Sequence, residues 1–222
     1  MTGLFDRLKE AAQDEWQAYT RHAFVAGLAD GSLPQAAFRH YLTQDYLFLI
    51  HFIRAYGLAV FKADRLEDMR LAAGSLSAIL DVEMNLHVKL CEGWGLSLAD
   101  MEATPEAPAT MAYTRFVLER GLAGDLLDLL VALSPCVVGY GEIGRRLAGD
   151  PSTKRDDNPY WVWIEEYSCS AYAEVSEKAQ GQLDRLARER LTEARFPALA
   201  RTFAQATRLE AGFWQMGLDQ AR

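Results

Sequence analysis

Apolar residues recur at three- and four-residue spacings along most of the chain, and alternating runs rich in Val, Ile and Thr are missing. That period belongs to helices that turn one face to a core. Ala, Leu, Glu, Arg and Gln are abundant and all favour helix. The expected fold class is therefore all-α. The chain has 222 residues, 50% of them apolar, and one domain of that size buries about 70% of its unfolded surface. Residues 1–222 are accordingly read as a single domain, a helical bundle with one core.

The helix boundaries follow from caps and breakers. A first amphipathic helix is expected from about Thr2 to Tyr19, with Leu4, Phe5, Leu8, Ala12 and Trp16 on one stripe. A short one follows and ends at Asp30-Gly31. Pro34 suits a first helical turn, and the stretch to about Ala63 reads as one long, largely buried helix. The next helices are expected at about Leu66–Glu92, Met111–Arg120 and Asp125–Leu147, the last with Pro135 inside it, where a carbonyl loses its donor. The polar segment GDPSTKRDDNP leads to a helix expected from Pro159 to Leu191, and a final one runs from Pro197 to about Leu218.

Composition excludes several classes of function. Lys plus Arg number 23 against 31 Asp plus Glu, for a formal charge of −8, so wrapping a nucleic-acid backbone is not expected. Asp45, His51, Asp125 and Asp128 interrupt the best apolar runs before they reach a membrane span. The acidic, amphipathic N-terminus is unlike a secretory signal. Cys91, Cys136 and Cys169 are odd in number and share no CxxC spacing, which suits reduced thiols in a cytoplasm.

Violations of the apolar period mark candidate sites. Asp45 lies four residues after Tyr41 and seven from both Phe38 and Phe52, so a carboxylate shares the core-facing stripe. Glu210, three before Phe213 and seven after Phe203, does the same near the C-terminus. A buried lone charge is costly, so each acid needs a partner, a shifted pKa or a ligand. Cys136 also faces inward, four residues before Tyr140, although a cysteine on an apolar face ordinarily just packs. Tyr113, Tyr140 and Tyr167 would bring hydroxyls into the bundle, and Phe48 and Phe213 offer flat faces. Such a set suits an uncharged, planar, nitrogen-rich ligand better than a phosphate. Glu83 and His87 form an i, i+4 pair, but the paired Glu-x-x-His spacing of di-iron bundles is missing. No metal site is expected, and His87 reads as a hydrogen-bonded structural residue.

Five strings, YLTQDYLFLIHF, MAYT, SPCVVGYGEIG, NPYWVWIEEYS and RLEAGFW, in that order, together resemble the TenA family, also called thiaminase II or aminopyrimidine aminohydrolase, in its cysteine-containing branch. The resemblance spans the whole chain. It implies a haem oxygenase-like all-α domain assembled as a homotetramer, with no metal or organic cofactor. Cys136 would be the nucleophile and Glu210 the acid that protonates a ring nitrogen. Asp45 would grip the ring's amino group and neighbouring nitrogen, Tyr167 would orient Glu210, and Tyr140 would stand near the cysteine. Tyr113 would line the pocket, and Phe213 and Phe48 would wall the ring. Other members carry a tyrosine where this chain has Phe48, so that hydroxyl is lacking here.

The implied activity is hydrolysis of 4-amino-5-aminomethyl-2-methylpyrimidine to the hydroxymethylpyrimidine in thiamin salvage, with thiamin as a further substrate the resemblance allows. A non-catalytic aminopyrimidine-binding or regulatory protein would use the same residues without turnover. Neither reading involves a membrane or nucleic acid.

Overall fold

A computed structural model of the chain describes residues 2–219. It is 82% helical, with no strand among the described residues, as the apolar period requires. The helices are α1 (Leu4–Ala11), α2 (Gln13–Thr20), α3 (Ala23–Asp30), α4 (Gln35–Lys62), α5 (Leu66–Ala78), α6 (Met84–Gly93), α7 (Leu98–Ala103), α8 (Pro108–Ala123), α9 (Leu126–Gly149), α10 (Trp161–Ser168), α11 (Ser170–Arg190) and α12 (Phe196–Asp219). They group into two compact units. One comprises residues 2–34 and 131–215, the other residues 35–130 and 216–219.

In the first unit an aromatic cluster forms the core. The Trp16 ring stacks on Phe203 at 5.7 Å, Phe5 meets both edge-on, and Trp214 stacks on Phe24 at 4.9 Å. Such pairs add about 1 kcal/mol each beyond the area they bury. Gly139 is required here, because a Cβ would stand 2.5 Å from the Tyr19 ring. The polar 150–160 connection is anchored by Asn158. Its side-chain amide donates to the Leu28 carbonyl at 2.9 Å and to that of Lys154 at 2.8 Å, and its Oδ1 accepts from the Tyr160 N–H at 2.9 Å. Gly31, at φ 78°, ends α3 in the left-handed conformation glycine tolerates.

In the second unit α4 packs against α5, α6 and α8. Lys62, the last residue of α4, donates to the carbonyls of Leu122 at 3.0 Å and Gly124 at 2.7 Å at the end of α8. Buried Gln44 ties α4 to the α7–α8 connection: its amide donates to the Pro105 carbonyl, and its oxygen accepts from the Ala107 N–H and the Thr110 hydroxyl.

Three expected helices are subdivided. The first breaks at Ala12, whose φ of −127° and ψ of 38° leave the helical region. The Pro159–Leu191 helix breaks at extended Cys169, whose sulfur caps α11 by accepting from the Tyr172 N–H. The Leu66–Glu92 helix contains a π-turn over Ile79–Glu83. One helix, α7, was not expected, although Ser97 and Asp100 form a reciprocal capping box at its start.

Asp128 does not keep α9 from being long and apolar enough to cross a membrane by length and composition. However, 83% of its apolar window is buried inside the protein, as in a core helix. The carbonyl that Pro135 deprives of a donor belongs to Val131, and the Ser134 hydroxyl donates to it at 2.9 Å. The helix therefore continues through the proline with that acceptor satisfied.

Candidate active site

Cys136 follows the proline directly on α9 and is half-buried, whereas Val137, Val138 and Tyr140 around it are buried. The inward orientation expected from spacing is thus only partly realised, and the thiol keeps some access. None of the three cysteines is in a disulfide, but they are not equivalent. Cys91 is fully enclosed, and burial first, then the nearby Asp45 charge, push its thiol up to about 12. A thiol held protonated is a poor nucleophile. Cys169 is engaged as the cap of α11. Cys136 differs from both in lying half-buried within an otherwise buried stretch of α9.

One turn after Cys136, Tyr140 enters an aromatic group. Its ring centroid lies 4.9 Å from Tyr167, 5.3 Å from Trp214 and 5.7 Å from Trp163. Tyr167, half-buried on α10, is held further by Trp163 at 4.6 Å and Tyr172 at 4.9 Å. The approach of α10 to α9 depends on Gly144, where a Cβ would sit 2.6 Å from the Tyr167 carbonyl carbon and 2.7 Å from its oxygen. Backbone cannot rotate away as a side chain can. Gly144→Ala is therefore expected to displace Tyr167 and lower stability by about 2 kcal/mol, read as a lowered urea midpoint with altered tyrosine fluorescence. An unchanged midpoint would show that α10 yields freely.

On α12 Glu210 is 1% exposed, in a helix whose neighbouring Thr207, Phe213 and Trp214 are also buried. A carboxyl taken so completely from water is the type of group that chemistry or a ligand must justify. Cys136, Tyr140, Tyr167, Glu210 and Phe213 all belong to the first unit, and among them Tyr140 and Tyr167 are in direct ring contact.

The second unit holds Asp45, Phe48 and Tyr113. The Phe48 ring lies 5.1 Å from Tyr113 and 5.4 Å from Phe52. A hollow of about 10 Å³ beside it, walled also by His51, Thr114 and Val117, has room for one water. Asp45 is buried at 7% exposure. Its Oδ2 accepts from the Tyr41 hydroxyl at 3.4 Å and stands 3.5 Å from His87 Nδ1. Burial pushes its carboxyl up to about 7, against the smaller downward pull of the Tyr41 bond. His87 in turn is held low by burial, opposed by its bond to the Leu42 carbonyl.

His87 as the companion of Asp45 was not expected. The π-turn explains why. Eight positions after Ile79 on an uninterrupted α-helix, a residue stands about 80° out of phase. The wider turn absorbs about one residue and returns His87 and Cys91 to the buried face of Asp68, Ala72 and Ile79. Trp163 and Trp214, which hold Tyr140, were also not singled out; their only sequence signal was ordinary core spacing.

Known proteins resemble this chain over nearly its whole length. A family model described as TENA/THI-4/PQQC matches residues 9–220. An aminopyrimidine aminohydrolase of Halalkalibacterium halodurans is 36% identical over 214 residues, which is 96% of this chain and 94% of that one. A protein described as a TenA family transcription regulator, from Silicibacter sp. TM1040, is 46% identical with a TM-score of 0.92, covering 97% of this chain and 96% of its own. A Shewanella denitrificans domain with a heme oxygenase-like fold is 15% identical with a TM-score of 0.76, over 99% of this chain and 93% of that domain, a likeness of fold alone.

Proposed function

Because the chain belongs to the TENA/THI-4/PQQC family, we propose that it is an aminopyrimidine aminohydrolase acting in thiamin salvage. The observation that carries this reading is the buried Glu210 carboxyl in the same unit as a half-buried Cys136 thiol. A relative with that named activity, 36% identical over 96% of this chain, supports it.

Hydrolysis of 4-amino-5-aminomethyl-2-methylpyrimidine exchanges an amine for a hydroxyl: the aminomethyl compound and water give the hydroxymethylpyrimidine and ammonia. In the proposed route Glu210 gives a proton to a ring nitrogen, and the sulfur of Cys136 forms a bond to the electron-poor ring carbon. The carbon–nitrogen bond at the methylene then breaks, and the amine leaves with its electron pair and takes the proton that the thiol released on attack. Water adds to the exposed methylene, the sulfur departs with its pair and takes the proton that water sheds, and Glu210 regains its own proton from the ring nitrogen. A thiol serves well because it both attacks and leaves near neutral pH. A carboxyl enclosed away from water, as Glu210 is, is placed to hand its proton to the ring rather than to solvent. Asp45 would hold the ring's amino group and adjacent nitrogen. Phe48 and Phe213 would wall the ring, Tyr113 would line the pocket, Tyr140 would stand near Cys136, and Tyr167 would orient Glu210. Assembly as a homotetramer is part of the same proposal.

The Silicibacter relative's description as a transcription regulator favours a second reading, ligand binding without turnover. A formal charge of −8 opposes any direct hold on DNA. A single-turnover reaction with product analysis decides: hydroxymethylpyrimidine and ammonia in equal amounts support the hydrolase, and bound but unchanged substrate supports the regulator. Glu210→Gln is expected to lower kcat by about 10²-fold while changing ligand affinity little, since its proton is needed mainly in the transition state. An affinity loss equal to the rate loss would make Glu210 a binding group.

A further inference from the structure

The hollow of about 10 Å³ beside Phe48 in the second unit is walled also by Phe52, Val117, Thr114 and His51. Phe48, Phe52 and Val117 offer it nothing but hydrocarbon. Thr114 and His51 carry polar atoms, and those atoms are engaged elsewhere. The Thr114 hydroxyl donates to the Thr110 carbonyl at 2.8 Å and accepts from the Arg115 guanidinium at 2.8 Å. His51 has a partner at each ring nitrogen: the Arg54 guanidinium lies 3.1 Å from Nδ1, and Glu106 Oε1 lies 3.1 Å from Nε2. Since a guanidinium can only donate, Nδ1 accepts and Nε2 carries the hydrogen that Glu106 takes. Glu106 is fixed in turn by Arg115, whose two terminal nitrogens each lie 2.6 Å from one of its oxygens.

A buried water needs about two to four polar partners. Of these five side chains only Thr114 has a lone pair left to offer, so a water would be poorly held. A methyl group is close to a water in size and needs no partner, and its transfer out of solvent is favourable by itself. The hollow therefore suits a small apolar substituent on a ligand whose remainder lies outside it.

Phe48 and Phe52 follow Asp45 by three and seven residues on α4, so two walls of the hollow share a helix face with that buried carboxyl. In the proposed function Asp45 holds the amino group at C4 of the ring and the nitrogen beside it. The next ring atom past that nitrogen is C2, which bears the methyl group. We propose that the hollow seats this 2-methyl group, and that Val117, its wall on α8, sets the size of the substituent accepted. The inference deepens the proposed function and rests on it for the ring.

The test titrates full-length protein with hydroxymethylpyrimidine and with its 2-H and 2-ethyl analogues. Wild type is expected to bind the 2-methyl compound about tenfold more tightly than the 2-H analogue, which leaves the hollow empty. The 2-ethyl analogue should also bind at least about tenfold more weakly, because it overfills the space. Val117→Ala widens the hollow and should reverse the order of the methyl and ethyl compounds. Val117→Ile should remove the preference for methyl over hydrogen, since the added carbon occupies the seat. The ratio between ligands is the readout: packing damage in either variant would lower all affinities by one factor, and an unchanged ratio in both overturns the proposal. Equal binding of the three compounds by wild type ends the 2-methyl seat alone and leaves the proposed function standing. Absence of binding by any of them ends the proposed function and the seat with it.

Discussion

Cys136→Ala is expected to abolish turnover, lowering kcat by at least about 10³-fold, while the protein folds and still binds hydroxymethylpyrimidine. Alanine has no nucleophile, and the route through a carbon–sulfur bond closes entirely rather than slowing. Folding should hardly change. The side chain is half-buried, loses a single heavy atom, and sits in a helix where alanine is the best helix former, so the stability change should stay within about 1 kcal/mol. The other thiols cannot substitute: Cys91 is enclosed with its pKa pushed up to about 12, and Cys169 caps α11. Rate constants from single turnover, with melting temperature and ligand titration on the same preparation, check all three statements. Hydrolysis within tenfold of wild type would remove the nucleophile from the account. Loss of folding would instead assign Cys136 to packing.

The parts of this fold that could be read from sequence are those set by local rules. The helix expected over Pro34–Ala63 is observed as Gln35–Lys62, and that expected over Pro197–Leu218 as Phe196–Asp219, because proline placement and apolar period act within one turn. The breaks at Ala12 and Cys169 were invisible, since neither residue is a helix breaker and each bend is set by what the flanking helices pack against. The buried carboxylates were legible for the same local reason: Asp45 and Glu210 interrupt apolar stripes, and both prove buried. The partner of Asp45 was not. His87 is distant in the chain, and its face is rotated into place by a π-turn that a 3.6-residue period cannot register. Phe48 and Tyr113 likewise meet only because α4 and α8 pack together.

The protonation of Asp45 carries the second large effect, on stability. In the fold its carboxyl titrates at about 7, against an ordinary 3.8. Below about pH 4 the folded and unfolded chains both hold the proton, and burying the acid carries no ionic penalty. Between about pH 4 and 7 the unfolded chain releases the proton that the folded chain keeps, so stability falls as pH rises. Above 7 both states are ionised, and the full penalty, about 4 kcal/mol, remains. Asparagine has the same shape and never ionises. Asp45→Asn should therefore match wild type near pH 4 and exceed it by up to about 4 kcal/mol at pH 8, measured from urea unfolding at several pH values. A difference that does not change with pH would mean that Asp45 is ionised in the fold throughout, and the neutral acid would be lost with it.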